Sequence, residues 1–294
     1  EVLQNWLADT PETGCSISVS DSVLAGRKIF VYAGNMGVAQ GMEILLDLAE
    51  SLSFRKDIGF LFVGRGTATH RLKLESKARG LDNTAFYNEI KPSEIPGLYA
   101  QCHFGLIVLD PRHKTHNLPG KFLSYMQSGL PVLASINTGN DLVEIISHER
   151  LGRVCTDASV ETLKNLVEEM VRNINVDVEI KFRCKALSKS MFSPKTAVKQ
   201  IIQSLTTGSP VIAEKKQLNR RLLFVVSEDW YFYSHRLHLA IAAIRSGYCV
   251  GLLSRFTHHR EIIKNAGVQV FDWSMNRGSR NPLLEIRFLF GVVS

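Results

Sequence analysis

The sequence predicts an α/β architecture, a parallel sheet with helices on both faces followed by a second, incomplete α/β unit. Three observations predict it. Short apolar runs rich in β-branched residues recur from residue 28 onward with helical patterns between them, and such continuous runs are strands buried on both faces. Residues 206–219 (Thr-Thr-Gly-Ser-Pro-Val-Ile-Ala-Glu-Lys-Lys-Gln-Leu-Asn) mix turn formers and charges without a sustained apolar period, so they read as a linker. Beyond them the alternation restarts and stops at residue 294 with three strands in view, too few for a finished parallel sheet.

The elements follow in order. Strands are expected at residues 28–33, 58–63, 84–87, 104–108, 131–135 and 152–155, with helices at 41–53, 69–79, 92–101, 120–128 and 140–147 between them. From 160 to 205 the pattern is wholly helical, and Ser193-Pro194 has the residue types of a cap and first position for the last helix. After the linker come a strand at 221–226, a helix at 233–246, a strand at 248–253, a helix at 258–266 and a strand at 268–271. The expected organisation is therefore a domain at 1–205, a linker at 206–219 and a partial domain at 220–294.

Composition narrows the class. Hydrophobic content of 45% and charged content of 21% are those of a soluble globular chain. No apolar run reaches the roughly 18 residues of a membrane span, and the most apolar stretch, 283–293, is interrupted by Glu285 and Arg287. The chain opens Glu-Val-Leu-Gln-Asn-Trp, without a basic leader, and is expected to be cut from a longer protein. Five widely separated cysteines without a C-x-x-C pair point to reduced cytosolic thiols. Of the net charge of +7, residues 206–294 contribute most, with 12 Lys and Arg against 6 Asp and Glu. Such a segment suits an anionic surface or a phosphorylated ligand, and equally a solvated face. No RNA-binding signature or aromatic-basic stripe accompanies it, so nucleic acid is not an expected partner.

Two segments carry chemistry. Phe30-Val-Tyr-Ala-Gly34-Asn35-Met36-Gly37-Val-Ala-Gln40-Gly41 lies where the first strand ends and the first helix begins. Glycines there let main-chain amides approach a diphosphate, which a helix N-terminus also favours, although a bare βα turn has the same look. In His113-Lys-Thr-His116-Asn117-Leu-Pro119-Gly120-Lys121-Phe-Leu-Ser124-Tyr-Met-Gln-Ser-Gly-Leu-Pro-Val, Pro119-Gly120 places Lys121 in the first turn of a helix. A cation is disfavoured there by the helix dipole unless an anion joins it, so the residue points either to a phosphate ligand or simply to solvent.

This second segment, with Ala134-Ser-Ile-Asn-Thr-Gly-Asn-Asp-Leu142 after it, resembles the donor-binding domain of glycosyltransferase family 4, and within it the O-antigen N-acetyl-L-fucosamine transferases. The resemblance spans residues 5 to 205, with Asn5, Trp6 and Asp9 similar to the interdomain connection. It implies a GT-B-type, Rossmann-like domain whose glycine turn and Lys121 helix flank the diphosphate of a nucleotide sugar, UDP-linked by preference, with no cofactor and no obligatory metal. No D-x-D triplet occurs, so a metal-dependent GT-A mechanism is not supported. Donor-site candidates are Gly34, Asn35, Met36, Gly37, Gln40, Gly64, Arg65, Asn88, Ile90, Lys91, His116, Asn117, Pro119, Gly120, Lys121 and Ser124. The chain departs from the family pattern at Asn35 and Gln40, where an Arg and a Lys are common, and at His116 and Ser124, where two glutamates are common.

Residues 222–237, Leu-Leu-Phe-Val-Val-Ser-Glu-Asp-Trp230-Tyr-Phe-Tyr-Ser-His235-Arg236-Leu, are similar to the first βα unit of the acceptor-side domain of other family 4 transferases. Glu261, Gly267 and residues 276–282 continue the likeness. Trp230, His235 and Arg236 are the acceptor-side candidates; no catalytic residue is assigned within the chain. The implied whole is a fused or bifunctional enzyme. Its donor half would transfer a sugar to an undecaprenyl-diphosphate-linked oligosaccharide at the cytoplasmic face of the inner membrane, and the stretch in hand would be inactive by itself. A sugar-nucleotide 2-epimerase of GT-B fold and a non-catalytic nucleotide-sugar-binding scaffold remain as alternatives.

Overall fold

The computed structural model describes residues 5–7, 14–110, 118–206 and 221–272. The chain divides into two compact units, Glu1–Thr196 and Ala197–Ser294. In the first, β1 (Lys28–Ala33), β2 (Ile58–Val63), β3 (Thr84–Tyr87), β4 (Phe104–Val108), β5 (Val132–Ser135) and β6 (Gly152–Cys155) form one parallel sheet in the order β3-β2-β1-β4-β5-β6. Its helices are α1 (Glu43–Ser51), α2 (Thr69–Ala78), α3 (Ile95–Ala100), α4 (Gly120–Ser128), α5 (Asp141–His148), α6 (Val160–Asn173) and α7 (Ile180–Met191), and the division between the units falls within α8 (Pro194–Thr206). The chain leaves β1 to build one wing of the sheet, returns through α3 to β4 beside β1, and builds the other wing. The order therefore reverses between β1 and β4, where crevices form outside the carboxyl ends of such sheets.

Period-two alternation along β1 supplies both cores. Ile29, Val31 and Ala33 pack with α3, α4, α5 and α7, while Phe30 and Tyr32 pack with α1, α2 and α6. The rings of Phe30 and Phe104 stack at 4.5 Å across the central strand pair. Every residue of β2 and β4 is buried, as their unbroken apolar sequences require. Asn140 caps α5 by accepting from Leu142 N at 3.0 Å, and Ser193 Oγ accepts from Thr196 N at 3.1 Å at the start of α8. The five cysteines are unpaired.

Between β1 and β4 the ladder is extended by a side chain. His103 Nδ1 accepts from Ile29 N at 3.1 Å while His103 N donates to Ile29 O at 2.9 Å. Burial, with the charges of Lys28 and Lys181, pulls the imidazole down to about 4. A depressed folded-state value means the unfolded chain takes the proton first. The stabilisation is complete above the ordinary value of 6.5 and is lost as pH falls from there towards 4. In urea titrations, His103→Asn, which keeps an acceptor without a proton to gain, is expected to remove about 2 kcal/mol of the stability lost over that window. Parallel pH curves for both proteins would overturn this.

The second unit carries a parallel sheet in the order β7-β8-β9, from β7 (Arg221–Glu228), β8 (Cys249–Arg255) and β9 (Gln269–Asp272). Its helices are α9 (Asp229–His235), α10 (Leu237–Arg245) and α11 (Arg260–Asn265). The structure corrects one expectation. Helix begins directly at the end of β7 and breaks at Arg236 (φ −123°, ψ −19°), whereas the sequence predicts a single helix from 233. The early start is set by Asp229, which is fully buried and accepts from Thr257 N, Thr257 Oγ1, His258 N and His259 N at 2.8–3.0 Å. Those bonds turn the chain out of the strand at once. Most of the expected linker, and the likeness at 276–282, lie outside the described residues.

Candidate functional site

The site is built at the carboxyl end of β1. Beyond Ala33 the chain turns at Gly34 (φ +141°) and runs beside the segment that follows β2: Gly34 N donates to Val63 O at 2.9 Å, Met36 N to Arg65 O at 2.7 Å, and Ala68 N to Met36 O at 3.0 Å. The approach is so close that a Cβ at Gly64 would stand 2.0 Å from Gly34 O, and one at Gly66 would stand 2.3 Å from Met36 O. Gly64-Arg65-Gly66 is thus a brace under the glycine turn. Arg65 points to solvent, 79% exposed, and pairs with Glu89 at 3.0 Å. Met36 is fully buried. Gln40 closes the turn by accepting from Gly37 N at 2.9 Å, so its amide oxygen is already engaged.

Helix α4 brings the cation. Its N-cap, Pro119, offers no side-chain cap, and its first turn holds no acidic residue. Lys121, in that turn, reaches back over β1: its Cε lies 3.8 Å from where a side chain on Gly34 would begin, and its Nζ sits 4.6 Å from the centre of the Tyr32 ring. No carboxylate lies within ion-pair reach of it among the described residues. Burial pulls its pKa from 10.5 down to about 8. A desolvated ammonium at the positive end of a helix, set against the glycine turn, is a strong electrostatic demand for an anion.

A cavity of about 460 Å³ opens there, lined among others by Leu7, Gly34, Asn35, Tyr99, Lys121 and Ser124. Ser124 Oγ donates to Lys121 O at 3.0 Å. Leu7 reaches the cavity because its N donates to Phe192 O at 2.9 Å, at the end of α7. Of the sequence candidates, Gly34, Asn35, Lys121 and Ser124 meet on this cavity. Gly37 and Gln40 shape its turn, and Pro119 and Gly120 begin the helix that carries Lys121. Asn88 and Lys91 are exposed and Ile90 half-buried; the cavity is lined instead by the residues that follow them, Pro92, Ile95 and Pro96. His116 and Asn117 lie outside the described residues. Sequence reasoning missed Tyr99, which lines the cavity, and Tyr32, which lies buried beneath Lys121 and bonds Asn35 O, both from apolar segments that read as core.

In the second unit α9 gathers the other candidates. Trp230 is 50% exposed, His235 stacks on Tyr231 at 4.6 Å, and Arg236 lies 5.7 Å from the centre of the Tyr231 ring. Among the described residues no group of His, Cys, Asp and Glu is disposed to hold a metal ion, and no helix is long and apolar enough to cross a membrane.

A doubly wound parallel sheet with its pocket at the central carboxyl edge, headed by a glycine turn and a helix-borne lysine, is a GT-B-type α/β domain. The chain belongs to the family described as glycosyl transferases group 1, whose profile matches residues 27–173. It is similar to WbjE of Pseudomonas aeruginosa, named as a glycosyltransferase, with 23% identity over 49% of this chain and 36% of that protein. It is also similar to WcaI of Escherichia coli K12, named as a colanic acid biosynthesis glycosyl transferase, with 29% identity over 44% of this chain and 29% of that protein. The match thus spans about a third of the length of these curated relatives. Among solved structures, HepE of Anabaena, crystallised with UDP, shares the fold at a TM-score of 0.53 and 19% identity, over 63% of this chain and 50% of that one.

Proposed function

We propose that the first unit binds a nucleoside-diphosphate sugar, UDP-linked by preference, and that the whole protein transfers the sugar to an undecaprenyl-diphosphate-linked oligosaccharide in bacterial polysaccharide or O-antigen assembly. The observation that carries this reading is Lys121: a half-buried cation with no carboxylate in ion-pair reach among the described residues, at a helix N-terminus, against the Gly34 turn. A diphosphate supplies the missing charge. As the bond between the sugar and the diphosphate breaks, negative charge grows on the departing nucleotide, and the Lys121 ammonium at the N-terminus of α4 stabilises it in place. The cavity's other wall, from Leu7 to Pro92, Ile95 and Pro96, is apolar and suits the flat face of a base. Neither a metal nor an organic cofactor enters this reading.

The finer assignments belong to the same proposal. The first unit is read as the donor half of a family 4 transferase, and the second as the opening of the acceptor half of another, fused to it. Trp230, His235 and Arg236 are read as its acceptor-facing side chains, at the cytoplasmic face of the inner membrane. The chain in hand is then a binder without turnover. One competing reading has an observation in its favour. Gln40 is bonded within its own turn, and Ser124 replaces a carboxylate where the family commonly has one, which suits a scaffold that has lost donor binding.

Calorimetry on the full chain separates the two. UDP is expected to bind in the micromolar range, and uridine about tenfold or more weaker, because a charge-assisted contact is lost with the phosphates. Equal affinity for both, or UDP binding no tighter than millimolar, favours the scaffold and rejects the donor site.

A further inference from the structure

Tyr32 touches both parts of the pocket and belongs to neither motif. It is the penultimate residue of β1, and its side chain is fully buried. Its hydroxyl donates to Asn35 O at 2.7 Å, and its ring face lies 4.6 Å from the Lys121 ammonium. We infer that Tyr32 is the positioning residue of the anion seat: its hydroxyl pulls the Asn35 carbonyl down against β1, and its ring holds the Lys121 ammonium in place before any ligand arrives. The inference rests on the donor-site reading above and assigns one cause to two of its features.

The hydroxyl's part follows from the turn. A carbonyl left free at Asn35 is able to swing towards the cavity, where its negative end would oppose a phosphate. Tied to a phenol, it stays inside, and the peptide unit keeps its polarity. The phenol remains a donor throughout, since burial, assisted by Tyr99, raises its pKa far above the ordinary value. The ring's part follows from the cation. Lys121 has lost much of its water, and the face of the Tyr32 ring offers its ammonium a negative potential in return. Among the described residues, the titratable side chains around it are the phenols of Tyr32 from β1 and of Tyr99 from α3, with Tyr125 on α4 itself, all held neutral by burial. Losing the ring therefore lets the proton go at lower pH.

The two functions separate by substitution. Tyr32→Phe keeps the ring and frees the carbonyl; Tyr32→Leu removes both. UDP affinity is measured by calorimetry on the full chain from pH 7 to 9.5. In the wild type it falls as pH rises through about 8, as Lys121 loses its proton. Tyr32→Phe is expected to bind about fivefold more weakly with the same midpoint. In Tyr32→Leu the midpoint moves down by about half a unit to one unit. A residue that merely fills the core lowers affinity without moving the midpoint, so an unmoved midpoint in Tyr32→Leu overturns the inference, as does unchanged affinity in Tyr32→Phe.

A second measurement guards against misfolding of the leucine variant. Side-chain NMR of the lysines in the wild type, with Lys121→Met assigning the signal, should show Lys121 methylene protons shifted upfield by the ring beneath them. An unshifted signal also overturns the inference. If wild type and Lys121→Met bind UDP alike with no pH dependence, the donor-site reading itself has failed. If they differ and only the Tyr32 variants behave as wild type, the failure is confined to Tyr32.

Discussion

Replacing Lys121 by methionine is expected to weaken UDP binding about 10- to 100-fold while leaving the protein as stable as before, or more so. The two halves of that result have one cause. Methionine occupies a similar volume over the Tyr32 ring, so packing is kept, and a desolvated charge with no carboxylate in reach among the described residues is removed. A charge-assisted contact to phosphate contributes about 1.5–3 kcal/mol, which sets the loss of affinity. Calorimetry and a thermal melt on the same sample provide both readings. Undiminished affinity would remove the lysine from the site; lost affinity together with a large drop in stability would make it a structural residue instead. The pH profile offers an independent check, because the wild-type affinity should decline as pH rises through about 8 while the methionine variant shows no such step.

Gly64→Ala should be the most damaging single methyl in the first unit's site. The new carbon would lie 2.0 Å from Gly34 O and 2.9 Å from its carbonyl carbon, and the backbone stands at φ +148°, where an L side chain is strained in any case. Main chain cannot swing aside as a flexible side chain does, so β1 and β2 must part at their carboxyl ends. That breaks the bonds from Gly34 N to Val63 O and from Met36 N to Arg65 O that shape the turn. The expected cost is about 3 kcal/mol or more, which for a unit of this size lowers the melting midpoint by roughly 6–12 °C. UDP affinity should fall with it. A melting shift under about 2 °C would mean that the two loops are not braced as described. The neighbouring Arg65→Ala is the contrasting control: its guanidinium is exposed, its ion pair with Glu89 lies at the surface, and little stability should be lost.

The architecture was legible because burial on both faces leaves a plain mark. The runs at 28–33, 58–63, 84–87 and 104–108 coincide with β1 to β4, and Pro119-Gly120 heads α4 where the sequence put a helix start. The break between α9 and α10 was not legible. Nor was the helix start at the end of β7, set by a carboxylate at 229 bonding amides at 257–259, a contact about thirty residues long that no local pattern records. The site divides in the same way. Lys121 stood out because its charge opposes the helix that carries it, and the structure sets it against Gly34. Tyr32 gave no signal, since a tyrosine in an apolar strand is indistinguishable from core until the position of its hydroxyl is known. At Gly64 and Gly66 the positive φ values and missing side chains let two loops approach each other, a contact the sequence does not announce.

Asp229 sets the chemistry of the second unit's strand ends. Burial works to raise its pKa, but donors from His259, Thr257 and His258 outweigh that and hold the carboxyl well below the usual range. Three successive amides, a ready-made nest for an oxyanion, are therefore already filled by the protein's own negative charge. Those three amides are closed to any outside anion. The two sheets of this chain thus differ at their strand ends: among the described residues, one carries a cation with no carboxylate in reach, and the other has answered its amides from within.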